Sequence, residues 1–348
     1  MVKTKLSITA VVAVLLAAVA FVYIKQAKAN DPRDMPADVS IAVEPGPVTL
    51  TDPGRLVFRN EAPGPDFGKV ASVALADPQG PRRISALRCD RFYTSVGRGL
   101  CLADAPGPLP SATIGFTDAG LASRKTVDIA GIPNRAKLSA DGTVASWTTF
   151  VTGDSYARTG TFSTRTGIMT ADEVDTNIED MKLRVGGRQY RADDVNFWGV
   201  TVTADDRTFY ATVATGGQTH LVKADQGEWQ AETLRENVEC PSLSPDGTRI
   251  AFKKRVAQDG ARPWREHVLD LRTMVETPLA ETRSVDDQVV WLDDRTIAYT
   301  LPGAEIWAVP ADGSGAPRLL VRHGSSPSFG YPSGPSNQLP TPSGSSSK

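Results

Sequence analysis

The sequence has few of the residues from which metal sites and catalytic centres are usually built. Its 348 residues include three histidines and three cysteines, and no Cys–His cluster gives the ligand spacing that zinc requires. HExxH and HxH motifs, and the GxSxG motif of a nucleophile elbow, are also absent from the sequence. These absences weigh against a zinc enzyme and a serine hydrolase, and the sequence predicts no cofactor.

An excess of charge of one sign is absent too. Lysine and arginine total 38 against 40 aspartate and glutamate residues, which leaves a net charge of −2 and a pI near 6.0. No basic patch with interleaved aromatic residues occurs, so a nucleic-acid partner is not expected. Long helical periodicity is missing beyond the N-terminus, whereas alternation of apolar and polar residues is frequent. This pattern predicts an all-β protein.

A short phrase occurs four times along the chain. Its best copy is SLSPDGTRIAF at Ser242–Phe252, and the others span Lys137–Trp147, Thr201–Thr212 and Val290–Thr300. Each copy places Asp-Gly or Asp-Asp between two alternating stretches, which is the strongest local signal for a β-hairpin. The aspartates are expected to be structural, because Asp bonds to the backbone of its own turn. The predicted turn residues are Asp141, Gly142, Asp205, Asp206, Asp246, Gly247, Asp293 and Asp294.

The spacing of these hairpins predicts the architecture. Two weaker copies have their turns at Gly54 and Gly97. The intervals between successive turns are then roughly 40–50 residues, which is the length of a four-stranded propeller blade. The interval from Gly142 to Asp206 is longer and predicts one insertion. Because a lone four-stranded sheet leaves an apolar face and two edges uncovered, closure into a ring is favoured. The sequence therefore predicts a six-bladed β-propeller of four-stranded antiparallel blades over residues 48–329.

The repeat also resembles that of a known family. SLSPDGTRIAF and EIWAVPADGSG, the second at Glu305–Gly315, are similar to the repeat of TolB-type propellers, the SPDG-containing relatives of WD repeats. The resemblance covers the predicted propeller, and more narrowly it is to the exported or membrane-anchored TolB-like translocation proteins. It implies a non-enzymatic module of the cell envelope that binds a protein or another ligand, with an envelope protein or peptide as its partner.

The N-terminal residues are expected to lie outside the propeller. Two lysines precede an uncharged apolar stretch at Leu6–Ile24, which is long enough to cross about 30 Å of hydrocarbon as one helix. Ala-Lys-Ala at residues 27–29 has the form that signal peptidase prefers. Residues 1–29 are therefore predicted to be either a transmembrane anchor or a signal peptide that is cleaved after Ala29.

The arrangement of charge around this stretch predicts an extracytoplasmic propeller, because basic residues precede the apolar residues. The protein is then anchored in the membrane through its N-terminal helix, or secreted. Residues 30–47 are expected to be a linker. Residues 325–329, SSPSF, are expected to add one strand to the first blade and close the ring. The Ser-, Pro- and Gly-rich residues 330–348 are expected to form a disordered tail, because they cannot bury enough apolar surface to fold.

Two of the three cysteines flank a predicted hairpin turn. Cys89 and Cys101 lie on either side of Val96–Gly99, so they are expected on adjacent strands of the second blade. A disulfide between them is predicted and fits an oxidising compartment, whereas the alternative is two buried thiols. Cys240 begins an inner strand and is expected to be a buried thiol.

The insertion is the first of two candidate partner-binding features. Residues 170–194 contain an acidic stretch followed by KLRVGGRQYR, which predicts a further hairpin with a Gly-Gly turn. Phe197 and Trp198 follow at the start of an inner strand. They either anchor a partner at the mouth of the channel or fill the core between blades. Trp291, on the inner strand of the sixth blade, is a third candidate contact.

Two acidic pairs form the second candidate feature. Asp193-Asp194 and Asp286-Asp287 each precede an inner strand, so both pairs are expected on one rim of the channel as contacts for a partner. Two other uses of these carboxylates stay open. They could serve as the paired acid and base of an envelope enzyme that acts on a glycan or peptide. They could also bind a calcium ion that stabilises a structural propeller.

Overall fold

The computed structural model describes residues 15–16, 18–23, 25–26, 28–151, 163–170, 174–175, 177–257 and 262–329. The predicted disordered tail and the first part of the predicted anchor or signal peptide lie outside these residues. Residues 18–23 are helical, and no helix in the described part of the chain is both long and apolar enough to cross a bilayer.

Short strands joined by tight turns form six sheets, and the sheets are the blades of the predicted six-bladed β-propeller. The first blade consists of β1 (Arg55–Asn60), β2 (Lys69–Ala74), β3 (Arg83–Arg88) and the C-terminal β26 (Gly324–Ser328). The second consists of β4 (Arg91–Ser95), β5 (Arg98–Asp104), β6 (Ser111–Thr117) and β7 (Ser123–Ala130). The third consists of β8 (Ile132–Leu138), β9 (Ala145–Val151), β10 (Ser163–Met169) and β11 (Val174–Asp175).

The second half of the ring follows the same order, and an added hairpin interrupts it once. The hairpin strands are β12 (Lys182–Val185) and β13 (Arg188–Tyr190). The fourth blade has β14 (Asn196–Val202), β15 (Thr208–Thr215), β16 (Gln218–Asp225) and β17 (Gln230–Glu236). The fifth has β18 (Glu239–Leu243), β19 (Arg249–Arg255), β20 (Trp264–Asp270) and β21 (Glu276–Pro278). The sixth has β22 (Val290–Trp291), β23 (Thr296–Leu301), β24 (Glu305–Pro310) and β25 (Arg318–Arg322). Single 3₁₀ turns occupy Pro32–Asp34 and Ile178–Asp180.

The antiparallel order gives the ring two different faces. The innermost strands begin on the face that we call the upper face, which also carries the turns between the second and third strands of each blade. They end in the repeated Asp turns on the lower face. In the fifth-blade turn, Asp246 accepts a hydrogen bond from the Thr248 backbone N–H at 3.0 Å, and Gly247 has a φ of +69°. The corresponding acids accept from their own turns in the same way: Asp141 from Thr143, Asp205 from Arg207, and Asp293 from Arg295.

Ring closure joins the two ends of the propeller. The C-terminal strand β26 pairs antiparallel with β1, for example Asn60 with Gly324, and becomes the innermost strand of the first blade. The buried side chain of Arg82 adds to this joint by donating to the carbonyl oxygen of His323 at 3.1 Å. The expectation that the SSPSF segment closes the ring is therefore confirmed.

The insertion enlarges one blade. Strands β12 and β13 form the predicted hairpin around Gly186-Gly187. In addition, β12 pairs parallel with β17, so that Lys182 lies opposite Gln230 and the fourth blade becomes a six-stranded sheet. The four-stranded prediction therefore fails at this blade alone, because an outer edge that the repeat leaves free accepts another strand.

Apolar side chains pack between neighbouring blades, as ring closure requires. Ile168 of the third blade and Phe209 of the fourth belong to one fully buried cluster, and similar clusters fill the other blade interfaces. The predicted disulfide between Cys89 and Cys101 is present, with the two Cα atoms 5.5 Å apart. Cys101 lies on β5, whereas Cys89 precedes β4, so the bond ties the link between the first two blades to the second blade. Cys240 is a buried free thiol, as expected.

Candidate functional site at the upper mouth of the channel

Side chains of the inner strands line the central channel near its upper mouth. A cavity of about 30 Å³ remains near its upper mouth, which is room for about two water molecules. Sites for small-molecule ligands usually offer about 300–1,000 Å³. The charged and amide side chains that line the cavity are Arg91, Asn134, Arg135, Lys137, Asp287 and Gln288. The channel can therefore accept a single polar group but not an entire substrate.

A buried lysine lies in this cavity. Lys137 is 7% exposed, and its Nζ donates to Ser242 Oγ at 2.6 Å. Burial lowers the pKa of Lys137 from 10.5 to about 7, because the charged ammonium loses its hydration. Lys137 and Ser242 hold the same position in KLSADG and SLSPDG, two blades apart. The pair combines an amine of reduced basicity with a hydroxyl, but Ser242 is 1% exposed and thus sealed from any substrate.

Two arginines lie above this pair. Arg135, on β8, is 9% exposed, and its Nη1 donates to the carbonyl oxygen of Asn134 at 3.1 Å. Its Nε is buried and has no hydrogen-bond partner among the described residues. Arg91, at the start of β4, lines the same cavity. Burial and then repulsion by Arg135 lower the pKa of Arg91, which indicates that two like charges share one poorly hydrated space.

Lys253 links this space to the acidic rim. Its Nζ donates to the carboxylate of Asp286 and lies 3.7 Å from Glu239. Arg135 Nη2 lies 3.9 Å from Asp286 as well. Burial opposes the ionisation of Asp286, but the charge of Lys253 prevails and lowers the pKa of this carboxyl. Asp286 remains 62% exposed, so a charged network reaches from the buried channel to solvent.

Glu266 is the least satisfied charged residue of the network. It lies opposite Lys253 in the pairing of β19 with β20 and is 1% exposed. Both carboxyl oxygens lack a hydrogen-bond partner within the described residues. Burial raises the pKa of Glu266 well above its usual value, so that the neutral acid is favoured.

The structure places both predicted acidic pairs on the upper face. Asp287 accepts hydrogen bonds from the backbone N–H groups of Gln288 at 2.9 Å and Thr300 at 3.3 Å. Asp194 accepts from Thr215 Oγ1 at 2.7 Å, and this bond lowers the pKa of Asp194. Asp193 is exposed. One member of each pair therefore supports a loop, and the other member, Asp193 or Asp286, is available to solvent.

The aromatic candidates require a correction. Phe197 is completely buried in the cluster between the third and fourth blades, and Trp291 is 6% exposed. Trp291 also donates from Nε1 to the carbonyl oxygen of Ser242 at 2.9 Å, which fixes it in the core. Neither side chain can contact a partner. Trp198 is half-buried, because alternate residues of an inner strand point to opposite sides.

Sequence reasoning missed the cationic part of this site. The residues predicted from sequence were turn residues, acidic pairs and aromatics, and none of them was a cation. The missed cations lie on β4, β8 and β19, and they are Arg91, Arg135, Lys137 and Lys253. The available signal was clearest at Lys137, an ionisable residue at an inner-strand position where the other copies of the repeat have Thr201, Ser242 and Val290. No group of three His, Cys, Asp or Glu residues in the described part of the chain is arranged to hold a metal ion.

Comparisons with known proteins agree with the architecture. No known family model and no curated protein matches the sequence. Among solved structures, TolB from Acinetobacter baumannii is similar over 80% of this chain and 67% of its own, with 16% identity and a TM-score of 0.54. The structure of a nidogen/laminin complex is similar over 79% of this chain and 97% of that chain, with 12% identity and a TM-score of 0.52.

Similarity at this level of identity establishes the fold, and one propeller fold serves many unrelated functions. The repeat, the six sheets and the similarity to a solved TolB structure agree on one architecture. The chain is therefore a six-bladed β-propeller whose fold is TolB-like.

Proposed function

We propose that this protein is a non-enzymatic interaction module of the cell envelope, and that its upper face docks a protein partner. The disulfide between Cys89 and Cys101 supports an extracytoplasmic location, because such bonds persist in oxidising compartments. The TolB-like fold is compatible with this role but does not by itself select it.

The observation that carries the proposal is a set of buried polar groups without partners among the described residues near the upper mouth of the channel. On the lower face, the turn acids accept hydrogen bonds from their own turns, so they serve the architecture. On the upper face, Arg135 and Glu266 keep buried polar atoms without partners in the described structure. Buried polar groups without hydrogen-bond partners destabilise a fold, and proteins tolerate them chiefly where function requires them.

Exposed apolar residues occur on the same face as this charged centre. Leu109, Ile132 and Val256 lie at the upper ends of their blades and are 76%, 49% and 50% exposed. Exposed apolar side chains beside a charged centre are a composition suited to protein interfaces. Trp198, Asp193 and Asp286 remain proposed contacts on the same face.

An enzyme that acts through the rim carboxylates has less support. Asp286 is held by Lys253, and Asp287 supports a backbone loop, so neither is free to act as an acid and base pair. The cavity beside Asp287 is also too small to hold an entire substrate. The calcium alternative has no ligand cluster in the described residues, and melting with and without a chelator would test it.

Site-specific photocrosslinking in living cells tests the docking proposal. A photoreactive amino acid would replace Ile132 on the upper face or, as the matched control, Ala140 at the lower end of the same strand region. Both positions are exposed. We expect one discrete adduct from position 132 and none from position 140.

The adduct should persist when the protein is expressed at its natural level, since overexpression promotes non-specific contacts. Equal labelling from both positions, or no adduct from either, would contradict docking on the upper face. Both variants should show the melting temperature of the wild type, so that a missing adduct cannot be attributed to unfolding.

A further inference from the structure

Arg91 is a cation that the fold does not use. Its guanidinium lines the channel cavity and makes no hydrogen bond or ion pair with any other described residue, although the carboxylates of Asp287 and Glu61 attract its charge. Asp287 is the acidic residue in the same lining, but both its oxygens already accept backbone N–H groups. A guanidinium has five N–H donors, so the Arg91 side chain brings a full set of donors to the lining of this small cavity.

Arg135 contributes more unused donors to the same space. Its Nε is buried without a partner in the described structure, and Nη2 makes two long contacts to Asp286, at 3.4 Å to the carbonyl oxygen and at 3.9 Å to the carboxylate. With Lys137 below, the charged residues of the cavity are three cations and one carboxylate. The cavity therefore favours a ligand group with a negatively charged oxygen that accepts hydrogen bonds.

The size of the cavity limits what this acceptor can be. A space of about 30 Å³ admits one small planar group, such as a carboxylate, in place of about two waters. An entire metabolite would not fit, so the rest of the ligand must stay outside on the upper face. Planar carboxylates match the guanidinium fork, which can hold both oxygens at once.

We propose that Arg91 and Arg135 form a clamp for a carboxylate of the docked protein partner. This inference rests on the docking function proposed above and specifies its central contact. The carboxylate enters the upper mouth, accepts from both guanidinium groups and displaces the cavity waters. It is supplied by an acidic side chain or by a C-terminus, which present the same chemistry.

Titration calorimetry with short peptides tests the clamp on the full-length protein. Acetyl-Gly-Gly-Gly carries a C-terminal carboxylate, and its C-terminal amide is the matched control. Acetyl-Gly-Asp-Gly-amide carries a side-chain carboxylate, and its Asn counterpart is the control for that arm. We expect each acid to bind more tightly than its amide, and the tighter acid identifies the source. Inorganic phosphate is a further arm, and phosphate binding tighter than either acid would overturn a peptide carboxylate as the ligand.

The Arg91→Met variant supplies the residue-level test. The Arg91 side chain has no hydrogen bond with a described residue to lose and carries a desolvation penalty, so this variant should fold with a melting temperature at least as high as that of the wild type, whereas acid binding should weaken by about 10-fold to 100-fold. Arg98→Met, an exposed arginine of the same blade near the lower face, should leave binding unchanged. Equal affinities for acid and amide, or an unaffected Arg91→Met variant, would overturn the clamp.

The clamp and the docking function fail in different ways. If the adduct at position 132 forms equally in wild type and Arg91→Met cells, docking stands and the clamp is overturned. If the acids bind through Arg91 but no adduct forms in the wild type, the carboxylate site stands and docking of a protein partner is overturned. If the Arg91→Met variant loses both the adduct and acid binding, while the wild type keeps both, the two proposals are supported together.

Discussion

Lys137 gives the sharpest prediction, because its burial makes the stability of the propeller depend on pH. The pKa of Lys137 is about 7 in the folded protein, whereas an ordinary lysine side chain has a pKa of 10.5. Below pH 7 the lysine is protonated in both the folded and the unfolded state, and the full desolvation penalty applies. As the pH rises above 7, the folded state loses the proton while the unfolded chain keeps it. The penalty therefore shrinks up to about pH 10.5.

The size of this change follows from linkage. Each unit by which a pKa is displaced corresponds to about 1.4 kcal/mol. Between pH 7 and pH 9 the penalty should fall by about 2 kcal/mol, because only the unfolded chain still binds the proton over most of this range. Replacing Lys137 by methionine removes the titrating group and keeps an unbranched side chain of similar length.

Urea unfolding of wild type and Lys137→Met at pH 7 and pH 9 measures the effect. The variant should be more stable than the wild type at pH 7, and the difference between their free energies of unfolding should narrow by about 2 kcal/mol at pH 9. Lys223→Met, at an exposed position on β16, should show no such narrowing. A constant difference between wild type and Lys137→Met would refute the assigned burial of the ammonium.

Three further predictions concern the fold. Replacing both disulfide cysteines by alanine should lower the free energy of unfolding by about 2–3 kcal/mol, measured by urea unfolding, and reductant should have the same effect on the wild type. Gly199→Ala should destabilise more than Gly216→Ala, although both glycines have φ near +60°. An added Cβ at 199 would lie 2.7 Å from the Cα of Cys240, whereas the space at 216 is open. Thermal melting compares the two. Deleting β26 should abolish cooperative melting, whereas deleting residues 330–348 should leave the melting temperature unchanged.

The repeat made the architecture predictable because its signals are local. Asp-Gly turns are determined by the residues of the turn itself, and the periodic spacing then fixes the number of blades. The Cys89–Cys101 pairing was predictable for the same reason, since both residues flank one hairpin. The parallel pairing of β12 with β17 was not, because it depends on which distant edge lies open after the ring has formed.

The candidate site was predicted less well. Phe197 and Trp198 are adjacent in sequence, yet only the structure shows that Phe197 points into the core and that Trp198 is half-buried. The contact between Lys137 and Ser242 crosses the channel between two blades, and sequence alone does not give distances across a ring. An ionisable residue in an inner strand was the available signal, because burial there shifts the pKa of a residue such as Lys137 away from its ordinary value.

Closure of the ring by β26 makes the order of folding events matter. The pairing of β1 with β26 joins residues at opposite ends of the propeller, and contacts so distant in sequence form late. Until the last strand arrives, the inner edge of β1 is unpaired and can add a strand from another chain. A nascent chain therefore remains prone to aggregation until β26 has been synthesised. The closed ring can form only in a chain that already includes β26.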